Sequence, residues 1–278
     1  MTTAVFLHGV GGSQAGWGDA LRRAVGTTDV ELAASLDTVT LDFDHQVRRA
    51  GPIRRRSADH LFGSSEGEQS RADERVGYYR NQQRIRQVAL AASGVVAAPR
   101  WPRPILIPGE LMVRAPVLDM RQAGHYRHDL GLRAAVLDHV SETIRQIDDD
   151  ILLFAHSLGS VVALDALHLR EMRVAMLITF GSPLGVRHFW GQPWEGSDGF
   201  PFARVGGWLN VVNTRDPVPW QRGVSNRFPT AVDSFISAGL GYSGTDGFHD
   251  ATTYVASAPV VATLIDQVRR NAPPGSGT

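Results

Sequence analysis

Short apolar runs alternate with amphipathic and polar stretches along this chain, and the alternation predicts strands separated by helices. The opening TAVFLH gives a strand over 3–8, followed by a helix over about 14–25 and a second strand over 37–43. After a long polar interval, a helical pattern occupies 129–147 and leads into an apolar strand over 151–155. Further strands fall near 174–180, 208–213 and 231–236, and a closing helix runs over 251–270. Strands that alternate with helices pair in parallel and need cover on both faces. The expected fold class is therefore α/β, with a mostly parallel central sheet, helices on both faces and a single domain over 1–278.

Residues 45–128 interrupt this pattern as an insertion. Their first part is polar and arginine-rich, with Arg54, Arg55 and Arg56 and a run from Gly63 to Arg75 that reads as an exposed loop. VGYYRNQQRIRQVALAASGVVAA then has helical character, and PRWPRPILIPGELMV breaks it with prolines. Two readings stay open, a cap or lid that excludes water from a site and an elaborated surface or oligomer contact. A second loop, 186–206, carries Phe189, Trp190, Trp194, Phe200 and Phe202. These aromatics suit an apolar substrate pocket and equally suit packing under a long loop.

Length and composition bound the picture. With 278 residues and 43% hydrophobic content the chain can bury one substantial core. Its 28 basic and 28 acidic residues balance, which gives no electrostatic reason to expect nucleic acid as a partner. The absence of cysteine excludes disulfides and thiolate metal sites, and the absence of lysine excludes Schiff-base chemistry. No cofactor or metal is expected. The first strand starts almost at Met1, without a basic leader or cleavage signal, and no apolar run approaches membrane-spanning length. The expected location is the cytoplasm; the sequence is silent on oligomeric state.

The most informative stretch is ILLFAHSLG at 151–159, where an apolar strand breaks into a serine flanked by small residues two places away on each side. A sharp strand-to-helix turn that exposes a serine hydroxyl admits only small neighbours, here Ala155 and Gly159. Ser157 is thus the candidate nucleophile, against the plainer role of a helix cap before SVVALDAL. The first strand runs into His8-Gly9-Val10-Gly11-Gly12. A dinucleotide loop is disfavoured there because Gln14 stands in the place of the last glycine of G-x-G-x-x-G.

With these two segments the chain resembles the α/β-hydrolases, and HGVGG resembles the oxyanion loop of small bacterial lipases and esterases. The resemblance implies that the amides of Leu158 and Val10 hold an oxyanion formed when Ser157 attacks a carbonyl. It also implies an order of nucleophile, acid and then histidine. Asp216 lies just past the strand of GWLNVVNTRDPVP, kept in a loop by Pro217, and His249 precedes the closing helix as the only histidine after Asp216. The resemblance therefore casts Asp216 as the acid and His249 as the base, with Asp233, Asp246 and Asp250 as rival acids. TFGSPL, at 179–184, is similar to a turn after the sixth strand of lipases, and its Ser182 is expected to brace the loop. Because the oxyanion loop follows the first strand, the chain would begin at the strand that is third in longer hydrolases.

The implied activity is that of a serine esterase or lipase cleaving a small-molecule carboxylic ester through an acyl-enzyme. Thioester or amide hydrolysis and acyl transfer use the same groups and stay open. So does a non-catalytic or partner-activated binding protein on the same fold.

Overall fold

The computed structural model describes residues 2–9, 15–43, 68–93, 120–186, 199–239 and 247–271. Six strands form one sheet in the order β2-β1-β3-β4-β5-β6, and every pairing is parallel. They are β1 (Thr2–Leu7), β2 (Asp37–Leu41), β3 (Asp150–His156), β4 (Met176–Phe180), β5 (Trp208–Asn213) and β6 (Val232–Ile236). The helices are α1 (Trp17–Gly26), α2 (Val30–Ser35), α3 (Glu68–Ser93), α4 (Met120–His128), α5 (Leu130–Arg145), α6 (Leu158–Leu169), α7 (Ala251–Val255) and α8 (Ala258–Asn271).

The central strands are apolar on both sides because both sides are covered. Val5 and Leu7 of β1 join Leu153 and Ala155 of β3 in one core with α5 and α6. Ala4 and Phe6 join Leu152 and Phe154 in the other, under α1, α7 and α8. This period of two, buried on either side, is the signature of an interior parallel strand. The strand after β1 lies to one side of it and β3 lies to the other. Winding therefore reverses between β1 and β3, and the carboxyl ends of those two strands open a crevice where doubly wound sheets bind ligands.

Several elements depart from the sequence expectation. The six residues of α2 lie inside a segment too short to show helical periodicity; Asp29 caps them by accepting the Leu32 N–H at 3.0 Å. The closing helix is two helices. Pro259 has no N–H for the carbonyl of Val255, so the chain restarts at Ala258, with Ser257 Oγ donating to the Tyr254 carbonyl at 2.6 Å. Helix α3 begins at Glu68, inside the stretch read as an exposed loop. EQSRADER contains neither glycine nor proline and is rich in good helix formers, so polarity alone was a poor guide there.

Helix α3 also locates the described half of the insertion. Tyr78, Gln82, Ile85 and Ala89 line its buried face. Gln82 Nε2–H donates to the carbonyls of Trp208, at 2.9 Å, and Thr230, and its Oε1 accepts the Trp208 N–H at 2.9 Å. Trp208 and Val232 begin β5 and β6, so Gln82 ties α3 to the amino ends of those strands, and the helix packs on α8 and β6 beyond that point. Phe200 and Phe202 of the second loop pack on β5 and α3, Phe200 stacked on Trp208 and Phe202 against Tyr78 and Tyr79. Phe189, Trp190 and Trp194, like 45–67 and 94–119 of the insertion, lie outside the described residues. Helix α4 joins α6 through a buried cluster in which Tyr126 donates to Asp165 at 2.9 Å and Arg133 meets the same carboxylate at 2.8 Å. Among the described residues, no helix is long and apolar enough to cross a membrane.

Two substitutions on α3 test this arrangement. Gln82→Ala removes the side-chain partner of the Trp208 N–H and carbonyl, leaving the Thr230 carbonyl with the Tyr78 hydroxyl, and urea unfolding is expected to show a loss of about 2–3 kcal/mol. Gly77→Ala meets nothing within 4 Å on the exposed side of the same helix and is expected to gain about 0.5–1 kcal/mol.

Candidate active site

β3 ends at His156, and its hydrogen-bond ladder runs one residue further, with the Ser157 N–H donating to the Phe180 carbonyl at 3.1 Å. The chain then turns at once into α6. Ser157 makes that turn at φ 54°, ψ −125°, a conformation an L-residue adopts only under constraint. The neighbouring glycines supply the constraint. A Cβ on Gly159 would lie 2.3 Å from the Leu7 carbonyl oxygen and 2.7 Å from that of His8. A Cβ on Gly9 would lie 2.6 Å from Ser157 Cβ and 3.1 Å from the Leu158 nitrogen. The turn thus rests directly on the end of β1, and glycine at 9 keeps the space before the Leu158 N–H clear. That N–H belongs to the first turn of α6, where the helix presents partial positive charge. Val10, the other expected donor, lies outside the described residues.

Asp216 and His249 come together although 33 positions separate them. His249 Nδ1–H donates to Asp216 Oδ2 at 2.6 Å, with the aspartate side chain fully buried and the imidazole 10% exposed. Asp216 Oδ1 accepts the Val218 N–H at 2.8 Å, which turns the carboxylate back onto its own loop. The His249 ring lies close to Gly181, the residue after Phe180, whose carbonyl accepts the Ser157 N–H. Gly181 has φ 56°, and a Cβ there would lie 2.9 Å from His249 Cε1 and 3.1 Å from His156 Nε2. One strand end, that of β4, therefore touches both the candidate nucleophile's backbone and the candidate base.

Two residues that the sequence reading passed over complete the frame. Asn213, the last residue of β5, donates through Nδ2 to the carbonyls of Ala238 at 2.8 Å and Phe248 at 3.0 Å, fastening the loop that carries His249. Tyr254 of α7 donates its hydroxyl proton to Asp216 Oδ2 at 2.6 Å. An asparagine closing a strand and a tyrosine inside an apolar helix read as turn and core residues. Only the need of a buried tyrosine hydroxyl for a partner hints at more.

The rivals take other roles. Asp233 accepts from Asn210 Nδ2 at 2.8 Å and from the N–H groups of Val224 and Ser225 at 2.9 and 3.0 Å, closing the turn beside Gly223. Asp250 caps α7 by accepting the Thr252 N–H at 2.7 Å. Asp246 lies outside the described residues. Ser182 is buried, within 2.7 Å of Ser160 Oγ, and caps the 3-10 turn Pro183–Gly185 by accepting the Leu184 N–H at 3.2 Å. His8 donates from Nδ1 to the Gly9 carbonyl and faces Asp42 at 3.3 Å.

His156 is buried between Phe180 and His249, its ring centre 4.5 Å from that of His249. Burial first, and then repulsion from His249 and His8, holds it neutral well below the usual histidine range. Among the described residues, no group of three or more histidine, aspartate or glutamate side chains is placed to hold a metal ion. No protein-family model matches this chain, and no curated protein matches it.

Gly159→Ala should remove the fold or cost at least about 4 kcal/mol in urea unfolding, because its Cβ would meet two backbone carbonyls. A second expectation concerns acid. His168, at the end of α6, donates from Nδ1 to the Leu164 carbonyl at 2.7 Å, and burial lowers it from 6.5 to about 4. With both His156 and His168 lowered, the unfolded chain binds protons that the folded one refuses. Stability is then complete above about pH 7 and is lost as pH falls through 6.5 towards 4. Urea midpoints measured across that window should drop, and His168→Asn should flatten the drop.

Proposed function

We propose that the protein is a serine hydrolase of the α/β-hydrolase type that cleaves carboxylic esters. The observation that carries the reading is the strained turn at Ser157, set at the β1–β3 crevice beside the buried Asp216–His249 pair. A helix cap needs no such backbone, and the Ser157 side chain makes no capping hydrogen bond to α6. The parallel sheet, with the Gly9 turn at the end of β1 and the Ser157 turn at the end of β3, is compatible with an α/β-hydrolase core.

In this mechanism Ser157 Oγ attacks the ester carbonyl while His249 Nε2 takes its proton. Asp216 keeps the proton of His249 on Nδ1, so that Nε2 is the free base, and steadies the imidazolium that forms. The carbonyl oxygen becomes an oxyanion facing the Leu158 N–H, with the Val10 N–H as the second donor. Collapse of the tetrahedral intermediate breaks the bond to the alcohol oxygen, which leaves with the proton from His249. A water then attacks the acyl-Ser157 ester, gives its proton to His249, and releases the acid and the free serine.

Ester preference rests on the resemblance of the glycine loop and the GSPL turn to those of lipases. A thioester or amide would be handled by the same groups. The test compares wild type with Ser157→Ala for labelling by a fluorophosphonate and for hydrolysis of p-nitrophenyl esters of increasing chain length. Labelling is expected to vanish and kcat to fall by about 10⁴-fold or more, with Asp216→Asn falling by about 10⁴-fold. A wild type that neither labels nor turns over would favour a binding protein on this fold.

A further inference from the structure

The hydroxyl of Tyr254 is committed on every side. Its oxygen accepts the Asn213 backbone N–H at 3.2 Å. Its own proton is then the remaining link, and 2.6 Å away lies Asp216 Oδ2. That same oxygen accepts the Nδ1–H of His249, also at 2.6 Å. Tyr254 is fully buried, so this contact is made away from solvent. Packing alone would need only a phenylalanine here. The ring already stacks on Phe180 at 5.4 Å, and the hydroxyl adds two hydrogen bonds, one from the end of β5 and one to Asp216.

Resting on the hydrolase reading, we infer that Tyr254 is a positioning residue for the reaction: its hydroxyl fixes Asp216 and, by sharing Oδ2 with His249, moderates how strongly the carboxylate holds a protonated His249. Two donors on one carboxylate oxygen divide its electron density, and each weakens the other's bond. Without the tyrosine, all of the charge on Oδ2 would favour the imidazolium, and the ring would release its proton to the leaving alcohol less readily. Burial, followed by the charge of Asp216, keeps the phenol protonated well beyond its ordinary range. It therefore acts as a donor throughout the working pH range.

Among the described residues, Asp216 is the charged group hydrogen-bonded to His249. The loop after β5 brings Asp216 itself, and Arg215 of that loop lies over the Phe248 ring at 5.8 Å. The end of β3 brings His156, which is neutral, with His8 behind it. Helix α7 brings Tyr254, while Asp250 is engaged with the first turn of that helix.

The experiment uses Tyr254→Phe in the full chain and two readouts, the downfield proton resonance of His249 Nδ1–H and the pH profile of kcat/KM. The resonance is expected to move further downfield as the His249–Asp216 bond strengthens. The acid limb of the profile is expected to move to higher pH by about half a unit, with plateau kcat reduced less than about tenfold. A resonance and an acid limb that both stay where they are in wild type would overturn the proposal, even with lower kcat or thermal stability, since a merely structural tyrosine predicts that. If Tyr254→Phe does not fold, wild type grown with 3-fluorotyrosine carries a stronger donor of nearly the same size. Resonance and limb should then move the opposite way, and their failure to move would also overturn the proposal. A wild type that shows the resonance but neither labels nor hydrolyses any ester would defeat the hydrolase reading, and the resonance alone would then decide the hydroxyl's effect on the pair.

Discussion

The contact on which the site depends is the close seating of the β3–α6 turn against the end of β1. Gly159 lies where any Cβ would strike the carbonyls of Leu7 and His8, and Gly9 lies where any Cβ would strike Ser157. The two glycines let the backbones meet, and the meeting forces Ser157 to φ 54°, ψ −125°. Such a conformation costs on the order of 1–3 kcal/mol and persists because its surroundings are rigid. Those surroundings are the buried central strands β1, β3 and β4, in register from Leu7 through Ala155 to Thr179. Strain at one residue is thus sustained by the packing of three strands.

The same rigidity lets buried polar groups serve the site without loosening it. Asp216 is wholly buried, yet its two oxygens take the Val218 N–H, the His249 Nδ1–H and the Tyr254 hydroxyl. Three donors satisfy the buried carboxylate and hold it in place. Within the sheet, Trp208 Nε1–H, Thr179, Asn210 and Asp233 form a second chain of hydrogen bonds across β4, β5 and β6. Gln82 ties helix α3 to the amino ends of β5 and β6. Those strand ends are accordingly held by side chains to the insertion, while the carboxyl ends of β1 and β3 are left to the crevice.

Much of this was legible in the sequence because the relevant signals are local. A serine between Ala155 and Gly159 after an apolar run announces the turn, since sterics limit what can stand beside it. Asp216 before Pro217, and His249 before a helix, announce loop positions at strand ends. The partners of those loops were not legible, because tertiary contacts choose them. Tyr254 reads as one more core residue of an apolar helix, and Asn213 as a turn former; only the fold reveals that both hold the acid and the histidine. Similarly, the polarity of 68–75 concealed the first turns of a helix whose remainder was legible from Val76 onward, and whose few buried residues, Tyr78, Gln82, Ile85 and Ala89, suffice to dock it. Loop position in the sequence already favours Asp216 over Asp233, and the fold adds that Asp216 is bonded to His249 while Asp233 is occupied by backbone N–H groups.

The most direct test of the account is a crystal structure of the protein after reaction with a p-nitrophenyl alkylphosphonate, which leaves a tetrahedral adduct on an activated serine. The account predicts a phosphorus bond to Ser157 Oγ, with the phosphonyl oxygen about 3 Å from the Leu158 nitrogen and His249 still bonded to Asp216. An adduct on Ser182, or a phosphonyl oxygen turned away from Leu158, would contradict it.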